Sequence, residues 1–237
     1  MTPPKHDTSE ASARDRFDRL HHKIRNRICL LDYAPGTRLS ETALAEEFGV
    51  SRTPLRRVLV RLECEGLLRS VQGVGTIVTD ADIHELEQTY RLRLELAELT
   101  GRLSPAAPSA SLLAEVRHLS ARAKALINAP EPRCFAELNM ALFQALLNIT
   151  GNLPLREVSE RLYYQTTRIW LQSVFASIID LNEEVRIFGG EVEDLLSAME
   201  LGDMEAVALI QRAHISMSFT RMRSAAKKTA APAAGSD

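Results

Sequence analysis

Apolar side chains recur at a helical spacing through most of the chain, and breaks in that spacing mark where its elements begin and end. In the first third the pattern predicts three short helices: residues 16–31, the stretch from a Ser40 cap to Gly49, and the stretch from Ser51 to Gly66. The helical pattern is interrupted at residues 67–79, where β-branched residues flank a turn at Gln72-Gly73-Val74-Gly75. That arrangement predicts a two-stranded hairpin.

Six further helices are predicted after the hairpin, separated by proline, glycine and aspartate breaks. Their predicted bounds are 82–103, 110–128, 133–148, 153–177, 182–201 and 203–223, the last beginning at an Asp203 cap. Gly189-Gly190 is unusual there, because each glycine inside a helix costs about 1 kcal/mol relative to alanine. Either a helix begins at this pair or a helix kinks there, and we favour the first interpretation.

The resulting fold class is mostly α, with two domains. The predicted boundaries are a disordered N-terminus at 1–13, a helix-turn-helix domain with its hairpin at 14–79, an antiparallel six-helix bundle at 80–223, and a disordered tail at 224–237.

Composition supports a soluble cytoplasmic protein and places the positive charge in the first domain. Apolar residues make up 45% of the chain and charged residues 25%, with neither a membrane-length apolar run nor a secretory signal. Three cysteines without a CxxC pair predict buried thiols in a reducing compartment. Residues 1–79 hold 13 basic against 10 acidic side chains, a net charge of +3, and the remainder carries −5. An anionic partner is therefore expected at the first domain.

The helix that begins at Ser51 has the chemistry of a DNA-reading element. Leu55, Val58, Leu59 and Leu62 face a core, whereas the opposite side carries Arg52, Thr53, Arg56 and Arg57. The dipole-positive start of such a helix suits the major groove, where arginine bonds bidentately to guanine. Amphipathic helices with exposed arginines are common and do not by themselves indicate DNA binding. The prediction of DNA binding rests on the order of the elements around this helix, with two helices before it and a hairpin after it. The glycines of the hairpin turn would let the backbone approach a phosphate or the minor groove.

The stretch IRNRICLLDYAPGTRLSETALAEEFGVSRTPLRRVLVRLECEGLLRSVQGVGTIV closely resembles the winged-helix domain of GntR-type bacterial regulators. The resemblance implies contacts to double-stranded DNA, with Gly73 at the tip of the wing formed by the hairpin. The complete set of predicted DNA-binding residues is Arg38, Ser40, Thr42, Ser51, Arg52, Thr53, Arg56, Arg57, Gln72 and Gly73. The family usually has Glu where this chain has Arg57, so the DNA-facing side gains positive charge.

The helical part resembles the FCD type of GntR effector domain, and six helices favour its VanR-like branch. The resemblance rests on Tyr90 with Arg93, on Phe143 followed by LLNITGN, and on Gly202-Asp203 with His214. Many members bind a divalent metal through one Asp and three His. Those positions here hold Met140, Gln144, Val192 and His214, which do not suit such an ion. We therefore predict no metal and no other cofactor.

The resemblance implies an inward-pointing Arg93 that grips an anionic group of a small organic effector. The predicted effector-binding residues are Arg93, Met140, Gln144, Arg168, Val192 and His214, although His214 is equally well explained as a hydrogen-bonded core histidine. Trp170 lies on the same long helix as Arg168 and is more often a core residue.

These features predict a homodimeric, ligand-responsive transcriptional regulator that binds a pseudo-palindromic operator. The alternative is a DNA-binding regulator whose helical domain only dimerises and takes no ligand. An enzyme is not expected, since the sequence shows no nucleophile–base pair, no acidic metal motif and no phosphate-binding glycine loop.

Overall fold

A computed structural model describes residues 7–80, 87–176 and 178–230, and the chain divides after Asp80 into two compact units. The first unit contains α1 (Asp7–Cys29), β1 (Arg38–Leu39), α2 (Glu41–Glu47), α3 (Arg52–Cys64), β2 (Leu68–Val71) and β3 (Gly75–Val78). The predicted helix-turn-helix and hairpin are thus confirmed in order and type.

The sheet has three antiparallel strands in the order β1-β3-β2, where the sequence predicted two. The additional strand pairs Arg38 with Ile77 and Leu39 with Thr76. Two residues are too few to show an alternating pattern, so this strand has no signal of its own in the sequence. The hairpin turn requires Gly73, whose φ of +77° is a left-handed conformation that glycine adopts without strain.

The core of the first unit lies between α1, α3 and the sheet. Ile24 and Ile28 of α1 are fully buried, as are Leu55 and Leu62 of α3. His21 joins the same interface, because its Nε2 lies 2.8 Å from Glu65 Oε2 at the C-terminal cap of α3. The end of α3 is therefore fixed to α1 by a polar contact as well as by apolar packing.

The second unit contains the six predicted helices: α4 (Glu87–Thr100), α5 (Ala110–Asn128), α6 (Pro132–Leu146), α7 (Leu153–Phe175), α8 (Leu181–Leu201) and α9 (Met204–Ala230). Side-chain caps start several of them, and Asp203 Oδ1 accepts from Ala206 N at 2.9 Å as the sequence predicted. Helix α4 packs against α7 and α9, and α5 packs against α6 and α8. The described helices include none that is long and apolar enough to cross a membrane.

Three expectations differ from the structure. Helix α1 begins at Asp7 and α9 continues to Ala230, so part of each terminal segment expected to be disordered, 1–13 and 224–237, is helical. The predicted start of α4 at residue 82 lies outside the described residues. All three cysteines are free thiols, but only Cys29 is buried, whereas Cys64 and Cys134 are exposed.

The third difference concerns Gly189-Gly190, where α8 neither begins nor breaks but runs from Leu181 to Leu201. A Cβ on Gly189 would lie 3.1 Å from Ile127 Cδ1 of α5, whereas a Cβ on Gly190 would meet nothing within 4 Å. Gly189 therefore allows close packing of α8 on α5, and the interpretation of a helix start at this pair is wrong.

Candidate functional sites

The exposed side of α3 is the first candidate site. Its buried side is formed by Leu55, Val58, Leu59 and Leu62, as the apolar spacing predicted. A shallow surface depression runs along the opposite side, lined by Phe17, Arg52, Thr53, Arg56, Arg57, Val60, Arg61 and Cys64. The structure therefore brings four of the predicted DNA-binding residues onto one surface and extends that surface toward the C-terminal end of the helix.

Phe17, Val60, Arg61 and Cys64 were not among the predicted residues. The helical spacing could have found three of them, because Val60 and Cys64 continue the row of Arg56, and Arg61 continues that of Arg57. Phe17 comes from α1 and had no such signal. Its ring lies 5.6 Å from the guanidinium carbon of Arg57 and 5.8 Å from that of Arg61, which holds both cations beside each other.

Arg56 is held by an acidic residue of the neighbouring helix. Its Nη2 lies 2.8 Å from Glu41 Oε2, and its Nε lies 3.2 Å from Glu41 Oε1. The hydrogen bond from Arg56 lowers the pKa of the Glu41 carboxyl group. Since the Arg56 side chain is 68% exposed, its guanidinium is accessible to a phosphate or a base edge in exchange for Glu41.

The start of α3 leaves a hydroxyl for contacts outside the helix. Ser51 occupies the N-cap position in an extended conformation, but its side chain makes no capping hydrogen bond. Ser40, in contrast, caps α2, and its Oγ accepts from Ala43 N at 3.3 Å. Ser40 is consequently a capping residue in this structure.

The remaining predicted DNA-binding residues are Arg38 on β1, Thr42 on α2, and Gln72 and Gly73 in the turn between β2 and β3. Arg38 on β1 passes close to the hairpin, since a Cβ on Gly75 would lie 3.4 Å from its Nε. All ten predicted residues are exposed: Arg38, Ser40, Thr42, Ser51, Arg52, Thr53, Arg56, Arg57, Gln72 and Gly73.

The second candidate site is a cavity inside the helical unit, which encloses about 560 Å³ of empty space including the solvent at its mouth. Most of its lining comes from α4, α6, α7 and α9, and α8 contributes Glu191. The lining residues are Tyr90, Arg93, Asn139, Leu142, Phe143, Leu146, Tyr163, Thr167, Trp170, Glu191, Gln211, His214, Ile215 and Ser218. Apolar and aromatic walls with a few polar groups are typical of small-molecule sites.

Arg93 contributes a cation to this cavity. Its Nη1 donates to Thr166 Oγ1 at 2.6 Å, and its guanidinium carbon lies 5.3 Å from the ring centre of Tyr90 and 5.4 Å from that of Tyr163. Burial lowers its pKa from the ordinary arginine value, because the charged form is penalised away from water. Within the described residues no Asp or Glu oxygen lies within 4 Å of its guanidinium nitrogens.

A chain of polar contacts leads from the cavity residues Glu191 and His214 into the bundle. His214 Nδ1 lies 2.6 Å from Glu191 Oε2, a close contact that is not aligned as a hydrogen bond. His214 Nε2 lies 3.3 Å from Ser218 Oγ, which accepts from Arg221 Nη2 at 3.0 Å. Arg221 in turn pairs with the buried carboxylate of Glu184. His214 is therefore both a cavity residue and a hydrogen-bonded residue of the bundle.

The structure brings only two of the six predicted effector-binding residues, Arg93 and His214, to the cavity wall. Met140, Gln144, Arg168 and Val192 do not line it, and a role of these four in binding an effector stays a prediction. One residue along a helix turns a side chain by about 100°, so Asn139, Phe143 and Glu191 face the cavity in place of their neighbours. Gln144 instead donates through Nε2 to Glu160 Oε1 at 3.1 Å and to Tyr164 OH at 2.8 Å.

The sequence resemblance placed Met140, Gln144, Val192 and His214 at the metal-ligand positions, and the structure gives the surroundings of each. Met140 and Val192 are buried outside the cavity wall, and the amide of Gln144 is occupied by Glu160 and Tyr164. A thioether, an alkyl group and a neutral amide are poor ligands for a zinc-like dication, which leaves His214 as the single suitable ligand of the four. Among the described residues, no group of three or more His, Cys, Asp or Glu side chains could hold a metal ion.

Comparison with known proteins gives the same two-part organisation. Residues 17–78 match the sequence model for bacterial regulatory proteins of the gntR family, and residues 78–217 match the FCD domain.

Curated relatives are regulators of transcription. The chain is 30% identical over 129 residues to the HTH-type transcriptional regulator YdhC of Bacillus subtilis, a match that covers 54% of this chain and 58% of that protein. It is 32% identical over 136 residues to an HTH-type regulator of Streptomyces ambofaciens, covering 56% of each. The chain thus spans little more than half the length of these two relatives. A third regulator, Rv0494 of Mycobacterium tuberculosis, is 26% identical, with 94% of this chain and 97% of that protein covered.

Solved structures share the fold. Escherichia coli McbR/YncC superposes with a TM-score of 0.75 at 20% identity, covering 88% of this chain and 97% of that one. A GntR regulator from Rhodococcus sp. RHA1 gives a TM-score of 0.67 at 16% identity, covering 89% and 98%.

Proposed function

Because this chain belongs to the GntR family of bacterial regulatory proteins and carries an FCD domain, we propose that it is a DNA-binding transcriptional regulator whose helical domain binds a small organic effector with an anionic group. The effector, by this proposal, changes operator binding. The VanR-like branch rests on the number of helices and stays a prediction.

The observation that best supports DNA recognition is the exposed side of α3. Arg52, Arg56 and Arg57 lie there, and the opposite side of the helix packs into the core. Two such helices in a homodimer would read the two halves of a pseudo-palindromic operator. Each specific arginine–guanine contact is worth about 1–3 kcal/mol of discrimination.

The observation that supports an effector site is Arg93, a half-buried guanidinium beside a cavity with aromatic walls. An arginine with no carboxylate partner in the described structure offers its charge to an anionic ligand group. Because the residues at the metal positions do not fit a dication, we infer that direct contacts hold the ligand. The ligand would act by favouring one geometry of the dimer over another.

A second candidate function keeps DNA binding and makes the helical domain a dimerisation module without a ligand. The resemblance aligns Met140, Gln144 and Val192 with metal-ligand positions of the family, and these side chains, unsuited to such an ion, favour this candidate. A thermal-shift screen of small carboxylates separates the two candidates. Stabilisation that depends on Arg93 supports the sensor, and the absence of any stabilising compound supports the module.

The test of DNA recognition begins with selection of operators from random duplexes by the purified full-length protein, and we expect a two-fold symmetric motif. Arg52→Ala and Arg56→Ala should each cost about 1–3 kcal/mol of specific binding and relax base preference. Arg57→Ala should weaken operator and random DNA alike and reduce the salt slope by about one. If both the Arg52 and the Arg56 variants keep wild-type operator affinity at physiological salt, the proposal that α3 recognises the operator is wrong.

A further inference from the structure

The cavity of the helical unit holds one cation and one anion. Arg93 reaches it from α4 and Glu191 from α8, and they are the only Lys, Arg, Asp or Glu residues among those described that line it. The Glu191 side chain is 8% exposed, and its carboxylate lies beside the His214 ring, with no arginine or lysine nitrogen within 4 Å among the described residues. The site is therefore dipolar and does not have a single sign of charge.

A ligand with only a negative charge does not match this wall. Its carboxylate would pair with Arg93 but would also enter a cavity that already contains the Glu191 carboxylate, and like charges repel strongly away from water. A ligand that carries an ammonium group as well can pair with both charged groups, because a buried carboxylate is stabilised by a paired and hydrogen-bonded cation.

Two residues that line the cavity each have a buried polar atom without a hydrogen-bond partner among the described residues. Trp170 is 5% exposed, and its indole Nε1 has no hydrogen-bond partner among the described residues. Gln211 Oε1 is likewise buried without a described partner. Buried polar groups are almost always hydrogen-bonded, so these two residues add one unsatisfied donor and one unsatisfied acceptor next to the cavity.

The remaining wall is apolar, so the part of the ligand between its charged groups should be apolar too. Phe143 stacks on Tyr163 with ring centres 3.6 Å apart, and Leu142, Leu146 and Ile215 complete the surface. Such a wall favours a hydrocarbon body between the charged groups, because apolar surface is stabilised when it is removed from water.

We propose that this cavity binds a zwitterionic amino acid with an apolar body, its carboxylate on Arg93 and its ammonium on Glu191. This inference rests on the proposed function, in which the helical domain binds an effector with an anionic group, and it adds that the effector must also carry a cation.

The test uses the full-length protein and two sets of probes that differ in one charged group. The first set is L-phenylalanine, 3-phenylpropanoate and 2-phenylethylamine, and the second is 6-aminohexanoate, hexanoate and hexylamine. Binding is measured by calorimetry and thermal shift. We expect one amino acid to bind more tightly than both of its single-charge analogues, by about tenfold or more. The set that responds gives the spacing of the two charges.

Variants locate each charge. Glu191→Gln keeps the shape of the wall and should remove the preference for the amino acid, so that it and its carboxylate analogue bind equally. Arg93→Ala should abolish binding of both. Glu193→Gln is the matched control, because this exposed residue on the same helix pairs with Lys124 at the surface. Retained operator binding and an unchanged far-UV spectrum show that each variant is folded.

The outcomes separate this inference from the proposed function. If a carboxylate analogue binds as well as or better than its amino acid, and Arg93→Ala abolishes that binding, the anion sensor stands and the zwitterion inference is wrong. The same holds if Glu191→Gln leaves the preference intact. If no probe of either set binds, the zwitterion inference is overturned. Stabilisation by another carboxylate would then retain the anion sensor, and a negative carboxylate screen would remove the effector role but not DNA binding.

Discussion

Arg56 on α3 and Glu41 on α2 form a two-point ion pair, with Nη2 2.8 Å from Oε2 and Nε 3.2 Å from Oε1. The pair joins the two helices of the helix-turn-helix on its exposed side. It also occupies the planar edge of the guanidinium that would meet a guanine or a phosphate. DNA binding through Arg56 therefore competes with Glu41.

Glu41→Gln should strengthen DNA binding. The substitution removes the competing charge and leaves a side chain of the same shape, and exposed ion pairs of this kind are worth about 0.2–1 kcal/mol. We expect a gain in operator affinity of up to about fivefold, measured by fluorescence anisotropy at fixed salt. Glu46→Gln, an exposed acid on the same helix, controls for the change in net charge. A loss of affinity in Glu41→Gln would show instead that Glu41 positions Arg56 for the base.

The two adjacent glycines of α8 should respond differently to alanine. Gly190→Ala places a methyl group in open space and should stabilise the protein by about 1 kcal/mol, the usual difference in helix propensity. Gly189→Ala gains the same propensity but brings its Cβ to 3.1 Å from Ile127 Cδ1, so its net effect should be smaller or reversed.

Chemical unfolding of both variants, followed by the fluorescence of Trp170, measures the difference. In a third variant, Gly189→Ala combined with Ile127→Val, removal of the δ-methyl group should recover part of the missing stability. Equal stabilisation by both single substitutions would contradict the assignment of Gly189 as a close-packing position.

Helix α3, strand β1 and the cavity wall differ in how far each could be predicted from the sequence. Leu55 and Leu62 repeat at a helical period over several turns, so the buried side of α3, and with it the arginine side, follows from spacing alone. Strand β1 has two residues and no period. The cavity wall depends on rotation about a helix axis, where an offset of one residue exchanges Val192 for Glu191. Apolar spacing and its breaks predicted the helices in the correct order, but neither they nor the family resemblance predicted that rotation.

The contact between Glu65 and His21 predicts a loss of stability in acid. Burial alone would raise the pKa of the Glu65 carboxyl group, but hydrogen bonds from His21 and Arg61 outweigh it, and the net pKa is lowered. A carboxyl group whose pKa is lower in the folded state adds stability above its unfolded pKa of about 4.3 and loses it as the pH falls through the folded value.

Glu65→Gln should therefore destabilise the protein at neutral pH, and the difference from wild type should shrink as the pH falls below about 4.3. Thermal melts by circular dichroism between neutral and acidic pH measure this. Glu63→Gln serves as the control, because Glu63 lies on the same helix and bonds to Ser70 in place of His21. A Glu65→Gln difference that is constant over the whole range would show that the pair contributes through packing and not through charge.

The purified protein should contain no stoichiometric zinc, nickel or similar ion, and added Zn²⁺ or Ni²⁺ should not stabilise it. The reason is the ligand set: of the four family positions only His214 offers a donor for such ions, and its Nδ1 already faces Glu191 at 2.6 Å. Elemental analysis and thermal shift with and without metal provide the measurement. The double variant Met140→Asp with Gln144→His supplies two of the missing ligands four residues apart on α6 and tests whether the fold can still present them. Stoichiometric metal in the wild-type protein would mean that His214 and Glu191 belong to a metal site, and the assignment of Glu191 to a ligand ammonium would then have to be abandoned.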